Sequence, residues 1–427
     1  MSWIEKLDVN EIGKIVKYPD DKKILWIKSN YKNVEERVLK YVVNTIYSNK
    51  LKMDIINSLP FDEAFKISEM LNIEGISDDY IRTFIKKDYF ENSKIYSIPD
   101  YMTVGVELEM VNSYTVHVNL QKRILYDYSI VEEDSLSTIG GYGIEVRSPI
   151  LKNGDLNTIE EIAELFSRMG FKSNNTCGGH IHFGADYFNS IEMWKCFYEI
   201  IGNVEEIMYK ICNDKEEIPR NKVDFYAKPV SKIMNYEIED SKKVNYYMPD
   251  SVNIYNETDL DSFIKRIQYI YDEKYYGVNV KNINNKDKNT IEFRMANGTL
   301  EPRIIYENIH LYASIIRASR ELGELYKKDY LTDVEKTKIQ LKENLKVLEY
   351  EDEKADTLLD LIFENDEDRE IFKERLESAN ENLRLKGYHC NPLKRCKFGT
   401  VDFNNETREE HRNKSWDDFY KENDLDR

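Results

Sequence analysis

Four short segments decide the fold of this chain: GVELEM at 105–110, GIEVRS at 143–148, GGHIHF at 178–183 and TIEFRM at 290–295. In each of them, charged or imidazole-bearing residues alternate with aliphatic or aromatic ones. This alternation is typical of a β-strand, because successive side chains point to opposite faces of a sheet. The segments therefore predict four strands, each with one apolar face that packs against helices.

The opposite face of these strands carries all of the chemistry that the pattern offers. It presents four carboxylates, two imidazoles and two guanidinium groups, from Glu107, Glu109, Glu145, Arg147, His180, His182, Glu292 and Arg294. A solvent-exposed sheet face would account for any one of these strands alone. Four such strands are harder to explain in this way, because a solvent-exposed face would more often carry Lys, Thr and Ser.

These residue types in this arrangement favour a metal-assisted reaction. Carboxylates that converge repel one another, so a face lined by them needs cations. Carboxylate oxygens with one or two imidazoles suit Mg²⁺ or Mn²⁺ better than a purely structural Zn²⁺, which prefers thiolates. Guanidinium groups instead suit planar recognition of a carboxylate or a phosphate. Metal-binding carboxylates beside guanidinium groups are typical of sites that catalyse phosphoryl transfer.

The 427-residue chain divides into three regions by its patterning, and the fold class is α+β. Residues 1–95 read as helical, 96–331 as the β-rich catalytic domain, and 332–427 as a helical region with a polar tail. Helices are predicted near 34–46, 61–71, 76–87, 156–169, 190–211, 303–331, 334–348 and 366–386, and a fifth strand at 277–280, from apolar periodicity and candidate caps.

The net charge and the cysteine content argue against several classes of protein. Lys and Arg number 61 against 79 Asp and Glu, and the resulting net charge of −18 works against binding to nucleic acid or to an anionic membrane. The N-terminus lacks the features of a signal peptide, and five sparse cysteines do not form a disulfide framework. We therefore expect a cytoplasmic protein.

Four motifs in sequence order resemble the amidoligase family. They are GVELEM, EEDSLSTIGGYGIEVRSPIL, CGGHIHFG and YYGVNV followed by NTIEFRMANGTLEP, and the similarity covers roughly 98–318. Amidoligases belong to the glutamine synthetase and glutamate–cysteine ligase fold group of ATP-dependent carboxylate–amine ligases. The resemblance implies a curved antiparallel sheet of that fold, packed by helices, with helical N- and C-terminal extensions.

The resemblance also implies a role for each matched residue. Metal would be held by Glu107, Glu109, His180 and Glu292. Arg294 would grip the substrate carboxylate or the transferred phosphate. Glu145 would be a further metal or amine-site carboxylate, and Asp134 would act near the amine. The nucleotide would contact His182, Arg220 and Lys228, and Tyr226 lies in the same segment. Which acid of Glu132, Glu133 and Asp134 is active stays open.

The implied activity uses ATP and Mg²⁺ or Mn²⁺. It would activate a carboxylate as an acyl phosphate and join it to an amine in an amide or isopeptide bond. The substrate would be an amino acid, a peptide or a protein. The sequence leaves open the acyl donor, the amine, the oligomeric state and the role of the N-terminal region.

Two other functions are compatible with some of these residues. A metal-dependent hydrolase or oxygenase needs three ligands and an open position, which leaves the second Glu of GVELEM and the Glu-x-Arg of TIEFRM unexplained. A non-catalytic binding module that keeps the fold is the third interpretation. Cys390 and Cys396, with His389 and His411, have no standard zinc spacing, and an ordinary polar tail is the simpler interpretation. Cys177 is either a nucleophile or a buried small residue.

Overall fold

The computed structural model describes residues 9–47, 51, 55, 93–112, 123–133, 135–136, 142–212, 220, 223–230, 257–270, 274–348 and 350–385. Several sequence predictions therefore lie outside the described residues: the two helices predicted after Pro60, the acid Asp134, and the cysteines of the C-terminal tail.

The described strands form one seven-stranded sheet in the order β2-β3-β4-β1-β5-β7-β6, and all neighbouring strands are antiparallel. Their bounds are β1 Val104–Asn112, β2 Arg123–Ile124, β3 Tyr128–Glu132, β4 Tyr142–Arg147, β5 Gly178–Gly184, β6 Val278–Asn279 and β7 Thr290–Asn297. Together with the helices, this sheet confirms the α+β class.

Helices precede, interrupt and follow the sheet. They are α1 Val9–Ile15, α2 Asp20–Asn30, α3 Glu36–Asn44, α4 Asn157–Arg168, α5 Ile191–Ile211, α6 Val223–Tyr226, α7 Leu260–Ile270, α8 Pro302–Leu325, α9 Asp333–Val347, α10 Glu351–Ile362 and α11 Asp366–Leu385. Among the described residues, none of these helices is long and apolar enough to span a bilayer.

The apolar face of the sheet packs against α5 and α8. Phe293 of β7 stacks on Tyr312 of α8 with ring centroids 4.2 Å apart, and it meets Phe183 of β5 edge-on at 5.9 Å. The two helices approach each other closely, since a Cβ on Gly323 would lie 2.7 Å from backbone atoms of Met193. The strands that carry the polar residues therefore rest on a closely packed aromatic layer.

The C-terminal helices continue this core. His310 of α8 contacts Asp368 of α11 at 2.8 Å, and Arg375 of α11 donates to Glu307 of α8, also at 2.8 Å. One continuous cluster of buried apolar residues runs from Ile15 in α1 to Leu376 in α11. The described parts of the terminal regions thus share a core with the sheet.

The structure contains elements that were not predicted, and one helix ends earlier than predicted. Strands β2 and β3 were not predicted, because they are only two and five residues long and the period of alternation is hard to recognise over so few positions. Helices α6, α7 and α10 were also missed. Helix α8 ends at Leu325 and not near Leu331, since the intervening YKKDY offers no apolar residue to the core.

Replacing Phe293 tests whether the aromatic layer supports the sheet. Phe293 is fully buried, so Phe293→Ala should lower the free energy of unfolding by about 3–5 kcal/mol, through lost burial and a residual cavity. Urea denaturation followed by circular dichroism measures this loss. Tyr350→Ala is the control: Tyr350 is 70% exposed, and we expect a change within about 0.5 kcal/mol. Equal effects of both variants would contradict the packing described here.

Candidate functional site

Strands β4, β1, β5 and β7 lie side by side, so their polar residues form one band across the sheet. We call this band the polar strip; its members are Glu107, Glu109, Glu145, Arg147, His180, His182, Glu292 and Arg294. The antiparallel register places Glu107 opposite Arg147 on β4 and opposite His180 on β5. Within the strip only the Arg147 side chain is substantially exposed, at 46%, and the others are buried.

Glu107 is at the centre of the strip and contacts both histidines. Its Oε2 lies 3.1 Å from Nδ1 of His180, and its Oε1 lies 3.0 Å from Nε2 of His182. Burial alone would raise the pKa of Glu107, but its contacts with the two imidazoles outweigh burial and lower it. Nζ of Lys288, at 3.4 Å from Oε1, adds a half-exposed positive charge. Glu107 is therefore held as a carboxylate.

Glu109 is two residues further along β1 and accepts a hydrogen bond from the backbone N–H of Gly178. Nη2 of Arg220 lies 3.9 Å from its Oε2, and Nε2 of His180 lies 3.6 Å from its Oε1. A Cβ on Gly178 would lie 2.3 Å from Nη1 of Arg220, so a side chain there would displace the guanidinium. The arginine thus sits directly against the start of β5.

Each end of the strip carries a Glu–Arg pair on a single strand. On β4, Nε of Arg147 donates to Oε1 of Glu145. On β7, Nη1 of Arg294 donates to Oε1 of Glu292, and Nδ2 of Asn279 donates to the other oxygen of Glu292 at 2.6 Å. The Arg294 side chain is 7% exposed, so one pair is buried and the other opens to solvent.

The two paired glutamates have pKa values that shift in opposite directions. Burial and the negative charge of Glu107 raise the pKa of Glu145, although Arg147 opposes this. Burial would also raise the pKa of Glu292, but the charge of Arg294, helped by the histidines, outweighs it and lowers the pKa. Glu145 is therefore the carboxylate of this pair that more readily takes up a proton.

The strip contains two sets of side chains that could each hold a metal ion. One set is Glu107, His180 and Glu292, and the other is Glu109, Glu145 and His180; within each set the candidate ligand atoms lie within 4.8 Å of one another. Nε2 of His180 is buried without a hydrogen-bond partner, with Oε1 of Glu109 3.6 Å away, whereas Nε2 of His182 lies 3.0 Å from Oε1 of Glu107. A buried imidazole nitrogen without a partner is costly unless something binds it.

The segment predicted to contact a nucleotide lies beside this strip. Arg220 is buried, its Nε and Nη1 have no hydrogen-bond partner, and burial lowers its pKa. Its guanidinium lies 5.5 Å from the ring of Tyr226, whose carbonyl accepts a hydrogen bond from Nε of Arg294 at 3.4 Å. Lys228 is less closely involved: its Nζ lies 5.6 Å from the ring of Phe225.

Sequence reasoning missed three contacting residues: Asn279 on β6, Lys288 in the loop before β7, and Thr290, whose Oγ1 lies 3.3 Å from Nδ1 of His182. Thr290 is the first residue of TIEFRM, but no motif marks Asn279 or Lys288. Their closeness to TIEFRM in the chain was the available signal, since β6 and the loop flank β7.

The remaining candidates are placed as follows. Of the three acids in EEDSLS, Glu133 contacts the Oγ of Ser135 at 2.6 Å, and Asp134 lies outside the described residues, as does the side chain of Glu132. Cys177 is fully buried, and burial raises the pKa of its thiol to about 11. These properties fit a packed core residue and not a nucleophile.

Part of the chain matches a known protein family. Residues 120–316 match a family model described as "Putative amidoligase enzyme". The matched segment is 197 of the 427 residues; it supports an amidoligase family assignment, which suggests a ligase. It includes Glu145, both histidines, Glu292 and Arg294, whereas β1 with its two glutamates precedes it. No curated protein gives a significant match to the chain.

The buried charges of the strip should cost stability when no cation is bound. Glu145→Gln removes a carboxylate whose pKa is raised, so with chelator present the variant should be more stable than wild type by about 0.5–2 kcal/mol at pH 8. A raised carboxyl pKa destabilises the fold as pH rises above the ordinary value of 4.5, so the difference should shrink toward pH 4. Thermal denaturation across this pH range measures it.

The matched control for Glu145→Gln is Glu343→Gln on α9. Glu343 lies in an ion-pair cluster with Lys342 and Lys346, and its pKa is lowered. Relative to wild type, Glu343→Gln should therefore not become more stable as the pH rises. If Glu145→Gln were instead destabilised at every pH, the strip would not be electrostatically strained in the way inferred here.

Proposed function

We propose that the protein is an ATP-dependent carboxylate–amine ligase, which forms an amide or isopeptide bond through an acyl phosphate. One observation carries the proposal: two buried ligand sets share His180, and a Glu–Arg pair flanks them on each side. Such a band supplies cation ligands and anion-binding groups together, which is what phosphoryl transfer between two anions requires.

The ligand sets fit hard divalent ions. Each offers two buried carboxylates and one imidazole, a donor set that suits Mg²⁺ or Mn²⁺. We propose that Glu107, His180 and Glu292 hold one ion and that Glu109 is a ligand of a second. His180 binds one ion only, because a neutral imidazole has a single free lone pair, and Glu145 is left for the amine. Bound divalent ions would neutralise the phosphates and the substrate carboxylate as they approach one another.

The nucleotide is proposed to bind toward β7. Arg294 is buried and already oriented by Glu292 and by the carbonyl of Tyr226. Arg220 adds a second buried guanidinium with unpartnered nitrogens, and His182 lies between the two strands' carboxylates. These cationic and imidazole groups would bind the triphosphate and stabilise the charge on the transferred phosphoryl group.

The amine is proposed to bind toward β4, beside Glu145. An amine must be neutral to attack, and Glu145 is the carboxylate whose raised pKa favours taking up its proton. Asp134 stays a second candidate for this role, implied by the family resemblance. The two ends of the strip would thus divide the work, with phosphoryl transfer at β7 and proton removal at β4.

The proposed reaction balances in two steps. An oxygen of the substrate carboxylate bonds to the γ-phosphorus of ATP while the bond to the β-phosphate breaks, and ADP leaves. The amine nitrogen then bonds to the acyl carbon, the carbon–oxygen bond to phosphate breaks, and phosphate leaves with that oxygen. The amine proton passes to a carboxylate of the strip. The products are an amide, ADP and phosphate.

The other two functions account for less of the site. A hydrolase or oxygenase with three ligands would use one ligand set and leave the other, with both arginines, unexplained. A non-catalytic module would have no need for the buried Nε2 of His180, which has no hydrogen-bond partner. A ligase makes use of both ligand sets and of the buried Arg294.

Binding of nucleotide provides the first test. ATP with Mg²⁺ should raise the melting temperature of the protein, because a ligand that binds only the folded state stabilises it. Glu109→Gln should remove most of this increase. Glu343→Gln, on the surface of α9, should keep it. If ATP raises the melting temperature equally in excess chelator, metal-bridged binding is wrong.

Replacing Arg294 tests the catalytic assignment. Lysine keeps the charge but cannot reproduce the planar fork of a guanidinium, so Arg294→Lys should lower ADP release by about 100-fold or more. Its melting temperature and its ATP-dependent stabilisation should change little. Arg303→Lys is the control, since Arg303 pairs with Glu307 on α8 and is 41% exposed. Wild-type turnover in Arg294→Lys would show that the buried pair is only structural.

A further inference from the structure

We propose that the Arg147–Glu145 pair recognises an α-amino carboxylate, so that the amine substrate is a free amino acid. This role rests on the proposed ligase function. Arg147 was not assigned a role by the family resemblance. The inference follows from how its guanidinium is used in the structure.

Only one side of the Arg147 guanidinium is occupied. Its Nε donates to Oε1 of Glu145, and among the described residues neither Nη1 nor Nη2 has a hydrogen-bond partner. The side chain is 46% exposed, whereas the Arg294 side chain is 7% exposed. Arg147 therefore offers two parallel N–H donors to a ligand, the geometry that binds a carboxylate in a bidentate way.

Arg147 and Glu145 are in direct contact, and this limits the distance between the carboxylate and the amine of a ligand that binds both. A carboxylate on the free Nη edge would lie close to any amine bound by Glu145. In a free amino acid a single carbon separates these two groups, so its amine can reach Glu145 while its carboxylate stays on Arg147. A peptide bond in place of the carboxylate would leave the Nη donors without an anionic partner.

The position of the pair matches the proposed division of the site. Strands β1 and β5 separate β4 from β7, so at ordinary strand spacing the backbones of β4 and β7 lie about 14 Å apart. The acyl group and the transferred phosphoryl can occupy the metal-binding centre between the two Glu–Arg pairs. Arg147 is thus at the end of the strip away from the proposed nucleotide site, and the adjacent substrate at β4 is the amine.

Charge supports an anionic ligand at this end as well. The guanidinium of Arg147 is a cation at every relevant pH; its Nε donates to Glu145, and Glu107 lies opposite it in the β1–β4 register. If Glu107 engages a divalent ion, its charge no longer offsets that of Arg147, and the free Nη edge has no anionic partner. A substrate carboxylate would then be its partner.

Ligand-observed NMR tests the proposal directly. The wild-type protein with ADP and Mg²⁺ is mixed with a pool of L-amino acids or with the matching pool of L-amino acid carboxamides, and saturation transfer is measured. We expect transfer to one or a few amino acids and at least tenfold weaker binding of their carboxamides, because a hydrogen-bonded charge pair contributes about 1.5–3 kcal/mol.

Substitutions then assign the preference to one residue. Arg147→Gln should reduce the amino acid-to-carboxamide preference about tenfold or more, and Arg147→Lys should restore part of it through its charge. Arg168→Gln is the matched control: Nε of Arg168 also donates to a buried glutamate, Glu164, at 2.7 Å, but on α4 at the apolar face. Melting temperatures establish that each variant is folded.

The possible outcomes separate this inference from the proposed function. If amino acids and carboxamides bind equally, or if the preference survives in Arg147→Gln, the role of Arg147 is wrong. ADP release with hydroxylamine, an amine without a carboxylate, and a pool of carboxylic acids tests the ligase itself. No Mg²⁺- and ATP-dependent ADP release under any of these conditions would overturn the proposed function, whatever binds at Arg147.

Discussion

Burial of four carboxylates on one sheet face is the constraint on which the rest of this structure depends. Buried carboxylates are costly unless charges or hydrogen bonds meet them. Each here has such a partner: the histidines for Glu107, the Gly178 N–H for Glu109, and an arginine for the remaining two. These contacts leave Nε2 of His180 without a hydrogen-bond partner, and we infer that a cation completes the arrangement.

The apolar side of the sheet makes this polar arrangement possible. Phe293 lies between Glu292 and Arg294 in the chain and points to the other face, where it stacks on Tyr312 of α8. Close packing of that layer holds the β7 backbone in place, so the two charged side chains beside Phe293 keep their positions. A site built on strands in this way needs little reorganisation when a substrate binds.

The strip is asymmetric, and the asymmetry gives the proposed reaction a direction. The pair on β7 is buried and hydrogen-bonded on several sides, which suits a group that stabilises developing charge in a dry place. The pair on β4 is half open, and its carboxylate is the one with a raised pKa, which suits exchange of an amine and its proton with solvent. In the proposed reaction, the same residue types would therefore serve different steps because their burial differs.

The sequence by itself determined which side chains share a face, because alternation along a strand is a local property of the backbone. That was enough to predict the α+β class and the members of the polar strip. Only the tertiary structure decided which side chains of the strip contact one another. Strand register placed Glu107 beside both histidines, and the loop before β7 brought Nζ of Lys288 to Oε1 of Glu107, the oxygen that also contacts His182. Register depends on how the whole sheet packs, which no single segment specifies.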